Sequence, residues 1–243
     1  MKSKTGKRIF LALGCILLLL LAFGTWYVND YYRADTDAIA AFSAGHDIMP
    51  QTLTETVTVY APENPSAGLI FYPGGKVEPQ AYEPLLLSCA QEGILCVSAK
   101  MPFHLAVLDM DAAEGIPEQF PDIDRWYLGG HSLGGSMACP YLEEHREDYK
   151  GIILLGSYST ADLSASDLEV LSIWGSEDQV LNRDNYEKNR SNLPANFTEV
   201  VLEGGCHAYF GMYGPQEGDG TPTLSNKEQI AQTVQAISDF IFS

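Results

Sequence analysis

Basic side chains are scarce in this sequence. Its 243 residues include 14 Lys and Arg against 32 Asp and Glu, for a formal net charge of −18. Four of the cations, Lys2, Lys4, Lys7 and Arg8, precede the first acidic residue, Asp30, so from residue 29 onward 10 cations face 32 carboxylates, a surplus of 22 negative charges. Such a domain repels phosphate backbones and anionic headgroups, which argues against nucleic acid as a partner and against charge-driven adhesion to a membrane surface. Cysteine is sparse too, with 5 residues, and no Cys/His spacing suits zinc, so no metal site is expected. Cys89, Cys96, Cys139 and Cys206 admit three pairings, which an exterior location would permit, but the first three fall in core-like patterns that favour buried free thiols. Internal repeats and low-complexity tracts are absent, which argues against a repeat array. What remains, 46% hydrophobic and 19% charged residues, suits one α/β domain of about 200 residues and a short extra segment.

Charge is also missing from residues 9–24, and Trp26, Tyr27 and Val28 extend this apolar run to about the 20 residues needed to span a bilayer. Trp26, Tyr27, Tyr31 and Tyr32 suit an interfacial belt. A cleavable signal peptide is the rival, but its apolar region is normally about 7–15 residues long and ends in a small-x-small site, whereas this run is longer and ends in bulky aromatics. The reading is therefore a single-pass anchor: a basic cytoplasmic segment at 1–8, a span at 9–28 that holds Cys15, and an extracytoplasmic remainder. Residues 29–52 read as a stem, helical over 34–43 and broken at Gly45 and Pro50, and residues 53–243 as the functional domain.

Within that domain strands and helices alternate. Residues 54–60 predict an outer strand, while 68–72, 94–99, 126–128, 151–156, 169–174 and 197–202 predict further strands. Helices are expected over 79–92, 105–113, 133–145 and 182–193, and a capping box at Ser225 and Glu228 opens a terminal one. Mostly unbroken apolar strands between amphipathic helices mean a mostly parallel sheet covered on both faces, with ligands at its carboxyl edge.

At one such edge stands Gly130-His131-Ser132-Leu133-Gly134, a G-x-S-x-G pattern between a strand and a helix. Read blandly, it is a glycine-rich turn with an N-capping serine. Read chemically, Ser132 is a nucleophile that needs a base oriented by a carboxylate, together with donors for an oxyanion. His207 follows the last predicted strand and Asp178 the one before it, in the order Ser, Asp, His expected of an α/β-hydrolase. Asp162 competes with Asp178, since some hydrolases take their acid from the preceding strand; Glu177 ranks lower. His131 fills the variable place of the turn, and His145 ends a helix, where a cation suits the dipole. The amides of Leu133 and of Gly75, in the Pro73-Gly74-Gly75 loop, are the expected oxyanion donors, although that loop is also readable as a plain turn.

These segments resemble the α/β-hydrolases, and more narrowly a small bacterial group among them. The resemblance is carried by Phe71-Tyr72-Pro73-Gly74-Gly75-Lys76-Val77, Lys100-Met101-Pro102-Phe103, Gly130-His131-Ser132-Leu133-Gly134-Gly135 and Gly204-Gly205-Cys206-His207-Ala208-Tyr209-Phe210-Gly211. Cys206 stands where a polar residue is expected. The resemblance covers about residues 53–243 and implies an α/β-hydrolase fold and a serine hydrolase without cofactor or metal. Lys76, Met101, Phe103 and His104 are expected to contact the substrate. The expected activity is cleavage of carboxylic esters or related small acyl compounds. Acyl transfer or peptide cleavage by the same triad, or an inactive binding module, are the rival readings. With only the 12 residues 157–168 between two strands where many lipid-cleaving relatives insert a lid, no large lid is expected.

Overall fold

Where apolar residues run on without alternation, the computed structural model buries strands on both faces. It describes residues 4–243 and divides the chain into two compact units, one ending at Tyr31 and the other running from Tyr32 to Ser243. Lys2 lies outside the described residues. The strands are β1 (Gln51–Thr54), β2 (Val57–Tyr60), β3 (Ala67–Tyr72), β4 (Ile94–Ala99), β5 (Trp126–His131), β6 (Gly151–Leu155), β7 (Glu169–Gly175) and β8 (Thr198–Leu202). They form one sheet in the order β1-β2-β4-β3-β5-β6-β7-β8. β2 is antiparallel to β1 and β4, and every other pairing is parallel, with Ile70 beside Leu128 and Leu128 beside Ile152. Every residue of β3 to β6 is buried.

Helices α2 (Thr36–Ser43), α3 (Glu83–Gln91) and α6 (Asn226–Ile241) cover one face. Their Ile39, Leu86, Ile230 and Val234 pack with Phe71, Ile153 and Leu171. On the other face Ala138 and Leu142 of α4 (Leu133–Glu144) pack with Ile70, Leu128 and Leu154. On that side too, Tyr186 of α5 (Arg183–Asn189) hydrogen-bonds Ser172 of β7 at 2.9 Å. Each fully buried Leu or Ile contributes about 1.5–3 kcal/mol. The capping box of α6 is formed as the spacing predicts, with Ser225 and Glu228 bonded reciprocally. Residues expected to be a stem pack into the larger unit: Tyr32 bridges Val77, the Ala34 amide donates to Glu78 Oε2 at 2.9 Å, and Ile39 is buried.

Three elements differ from expectation for local reasons. The predicted outer strand is a hairpin, because the chain turns at Glu55-Thr56 and pairs Thr54 with Val57. The predicted 79–92 helix opens with a 3-10 turn, Pro79–Tyr82. Residues 105–113 form no α-helix. Phe103 and His104 hold left-handed φ of 52° and 58° just before them, and the segment is tied to the sheet instead. There the Tyr72 hydroxyl donates to Met110 O and accepts from the Ala113 amide, both at 2.8 Å.

The smaller unit contains α1 (Lys4–Asn29), whose Gly6–Asn29 segment, at mean hydropathy 2.5, is long and apolar enough to cross a membrane or to serve as a signal sequence. Near its carboxyl end two polar side chains turn back on the helix, Thr25 Oγ1 to Leu21 O and Asn29 Nδ2 to Thr25 O.

Tyr72→Phe leaves the Ala113 amide unpaired in the interior. It is expected to lower stability by about 1–3 kcal/mol, measured as a shifted urea midpoint at constant slope; an unshifted midpoint would show that residues 105–113 keep their shape without that hydroxyl.

Candidate active site

Ser132 is the hinge between β5 and α4. Its backbone adopts φ 52° and ψ −123°, a sparsely populated conformation for a residue with a side chain. The surroundings hold it there: the Ser132 amide donates to Leu155 O at 2.9 Å, extending the β5–β6 ladder, while its carbonyl accepts from Ser157 Oγ at 2.8 Å and from the Ser136 amide at 3.2 Å. The turn is tight enough that a Cβ on Gly134 would lie 2.2 Å from Tyr72 O, so this position admits only glycine. Leu133 opens α4, and its amide has no acceptor within the helix. The Gly75 loop lies alongside, close enough that a Cβ added there would meet Leu133 Cδ2 at 2.8 Å. Further along α4, Pro140 has no N–H for the carbonyl of Ser136, and Thr160 Oγ1 donates to that carbonyl instead at 2.7 Å.

His207 and Asp178, 29 positions apart in sequence, come together beyond β8 and β7. His207 Nδ1 and Asp178 Oδ2 are 2.8 Å apart, with both side chains excluded from solvent. Asp178 Oδ1 accepts from the amides of Val180 at 3.0 Å and Leu181 at 2.8 Å, so the second oxygen is committed to holding the carboxylate in place. His207 Nε2 is buried without a hydrogen-bond partner. The competing Asp162 is exposed and is taken up by the Ser164 amide and hydroxyl at 3.0 and 2.6 Å, bonds that lower its pKa. Glu177 accepts from its neighbour Ser176 at 3.3 Å and does not approach His207 by any such bond.

Two supports of His207 carry no signal in the sequence. Asp219 accepts from the amides of His207 at 3.2 Å and Ala208 at 2.8 Å, and from Gln179 of the Asp178 loop at 3.4 Å, bridging the two loops. Gln229 in α6 pairs with both backbone groups of Cys206, accepting its N–H at 2.9 Å and donating to its C=O at 2.7 Å. Position 206 therefore needs no polar side chain. The Cys206 thiol is free, and burial, then the Asp219 charge, push its pKa up to about 12. Cys89, Cys96 and Cys139 are likewise buried free thiols.

A cavity of about 270 Å³ reaches Ser132 and His207 and is walled by Leu133, Met137, Val180 and Leu181. Lys76, Met101, Phe103 and His104 are not among its lining residues. Met101 is buried in the core on the α4 side, Phe103 is exposed, and the Lys76 amide donates to His104 O at 2.7 Å. Partial burial lowers the His104 pKa. Residues 156–168, which follow β6, form turns and no helix. Among the described residues no group of three or more His, Cys, Asp and Glu side chains is placed to hold a metal ion.

Gly156, at φ 50°, lies under the His207–Asp178 contact: a Cβ there would be 2.9 Å from His207 Nδ1 and 3.1 Å from Asp178 Oδ2. Gly156→Ala is expected to cost about 1–2 kcal/mol from the left-handed backbone alone and to push the two side chains apart. The low-field imidazole proton resonance should weaken or vanish; its persistence would show that the neighbours absorb the methyl group.

The comparisons with known proteins agree with this architecture. A model described as the alpha/beta hydrolase family matches residues 68–231. TT1662 from Thermus thermophilus superposes with a TM-score of 0.59 at 16% identity, covering 81% of this chain and 99% of that one. A hydrolase described as CIB-like from Thermoplasma acidophilum gives 0.57 at 14% identity, covering 79% and 98%. Est1E from Butyrivibrio proteoclasticus gives 0.56 at 13% identity, covering 81% and 99%. No curated protein matches. The matched region runs from β3 into α6 and so includes Ser132, Asp178 and His207: the chain belongs to the alpha/beta hydrolase family.

Proposed function

We propose that this chain is a serine hydrolase that cleaves small carboxylic esters or related acyl compounds through an acyl-enzyme. Ser132 Oγ attacks the acyl carbon and passes its proton to His207 Nε2. Asp178 holds the imidazole by Nδ1 and stabilises the cation that forms. The amides of Gly75 and Leu133 receive the oxyanion. The leaving alcohol takes the proton from His207, and a water then repeats the sequence to release the acid. The observation that carries this reading is the state of His207: Nδ1 is committed to a buried carboxylate, Nε2 is unpartnered, and the residue lines the cavity that also reaches Ser132. The Ser132–His207 hydrogen bond is not formed in the structure, and such bonds commonly tighten only when substrate arrives.

Ser132→Ala is expected to lower ester turnover by about 10³-fold or more and to abolish labelling by a fluorophosphonate; labelling that persists would refute the assignment. Asp178→Asn is expected to cost about 10⁴-fold through the wrong imidazole tautomer, with Asp162→Asn mild, and the reverse ranking would move the acid to the earlier strand.

A cavity of about 270 Å³, with only turns at 156–168 to cover it, suits short acyl groups. The surplus of negative charge also slows anionic substrates. Short neutral esters should therefore be cleaved faster than long-chain ones, with no jump in rate above the micelle threshold. Preference for long-chain lipids would identify one of the flanking loops as a lid.

The same reading places the catalytic unit outside the cytoplasmic membrane, on an uncleaved α1 whose cations Lys4, Lys7 and Arg8 stay inside. A reporter fused after Ser243 should work only outside. Activity confined to the cytoplasm would overturn this topology, and a mature N-terminus near residue 30 would make α1 a signal peptide.

A further inference from the structure

His131, the variable residue of the turn, has partners that the catalytic steps above do not use. Its Nδ1 lies 2.7 Å from the hydroxyl of Tyr82, and both residues are sealed from solvent. The Tyr82 oxygen also accepts the Gly74 amide at 3.0 Å. A phenol has a single proton. With the Gly74 N–H on one lone pair of its oxygen, the acceptor within reach of that proton is His131 Nδ1, which assigns the histidine's own proton to Nε2, a buried atom without a hydrogen-bond partner. Burial, reinforced by His207, lowers the His131 pKa well below that of an ordinary histidine and keeps the ring neutral. On its other side His131 packs against His207, with ring centroids 4.4 Å apart and planes at 46°, and Phe210 adds a second ring at 5.4 Å.

Two moving parts of the proposed reaction thus meet on one buried pair. The Gly74 amide immediately precedes Gly75, whose N–H is assigned to the oxyanion. The His207 ring must keep its orientation while its proton comes and goes. We propose, on the basis of the Ser132 and His207 assignments above, that Tyr82 and His131 are positioning residues for acyl transfer: they fix the Gly74–Gly75 loop from behind and brace the face of the His207 imidazole. Neither touches substrate. A neutral His131 suits the task, because a cation 4.4 Å from His207 would oppose protonation of that ring during turnover. Donor placement is catalytically sensitive, since a single oxyanion donor is worth about 10²–10³-fold and a misplacement of about 1 Å can cost 10²-fold. Loosening the loop should therefore act on turnover and leave substrate binding nearly untouched.

The test uses the full chain in detergent, with p-nitrophenyl acetate as substrate and fluorophosphonate titration to count active sites. Tyr82→Phe removes one oxygen and strands the Gly74 amide. His131→Leu removes the acceptor, and His131→Asn offers Tyr82 an amide oxygen near the place of Nδ1. Per labelled site, kcat is expected to fall about 10- to 100-fold in Tyr82→Phe and His131→Leu, with KM within about two-fold, and to recover in His131→Asn. Unchanged kcat, or a rise in KM at constant kcat, in Tyr82→Phe would overturn the proposal, and so would His131→Asn as impaired as His131→Leu. Should His131→Leu fail to fold, Tyr82→Phe still decides. Absence of labelling at Ser132 in the parent would instead overturn the serine-hydrolase reading; labelling there with normal kcat in the variants would overturn the positioning pair alone.

Discussion

The site depends on one strained residue. Ser132 occupies a backbone conformation that costs on the order of 1–3 kcal/mol, and it stays there because its amide belongs to the sheet and its carbonyl belongs to the loop after β6. The neighbours inherit the constraint. Gly134 gives up its side chain so that α4 can pass Tyr72 O, Ser157 turns its hydroxyl toward the Ser132 carbonyl, and Ser136 lies between Ser157 and the Tyr158 carbonyl at 3.0 and 2.8 Å. Even Pro140, which breaks the helical ladder, frees a carbonyl that ties α4 to Thr160 on the same cavity.

The scarcity of cations shapes the rest. With so few Lys and Arg available, carboxylates at the site are held mainly by backbone amides. Asp178 accepts two, Asp219 bridges two loops through three, and Glu78 accepts the Ala34 amide. Amide donors are fixed in direction and lose no side-chain entropy, which suits groups that must stay put. The ion pairs Arg146–Glu143 and Arg190–Glu199 lie on the surface, away from His207.

Much of this was legible in the sequence because the relevant signals are local. Unbroken apolar runs mark β3, β4, β6 and β7 to within a residue, whereas β5 continues three residues past its apolar run to His131, and Gly130 to Gly134 mark the turn at Ser132. The places of His207 and Asp178 after strands were legible, by a rule that follows from parallel sheets, and the structure brings the two side chains together. Asp219 and Gln229 were not, because each acts through backbone amides far away in sequence, and nothing distinguishes a carboxylate on a loop or a glutamine on a helix until the fold closes. His131 carries no local signal for the same reason: its hydrogen-bond partner is Tyr82, 49 positions earlier. The periodicity of 105–113 predicts a helix, whereas the segment is tied to the Tyr72 hydroxyl, a tertiary partner.

The bridge between Tyr32 and Val77 decides where the larger unit can be cut. The Tyr32 amide donates to Lys76 O at 2.7 Å and its carbonyl accepts from Glu78 at 2.9 Å, so one residue of the leading segment is stitched, as a one-residue strand, to the stretch that follows Gly75. Before the first sheet strand begins at Gln51, the chain has already given Ile39 to the core and lent its Asp35 amide to Met212 O. A recombinant fragment begun at β1 would lose this seam and open a hole where Ile39 sat, whereas one begun at Tyr32 keeps the fold's own selvedge intact.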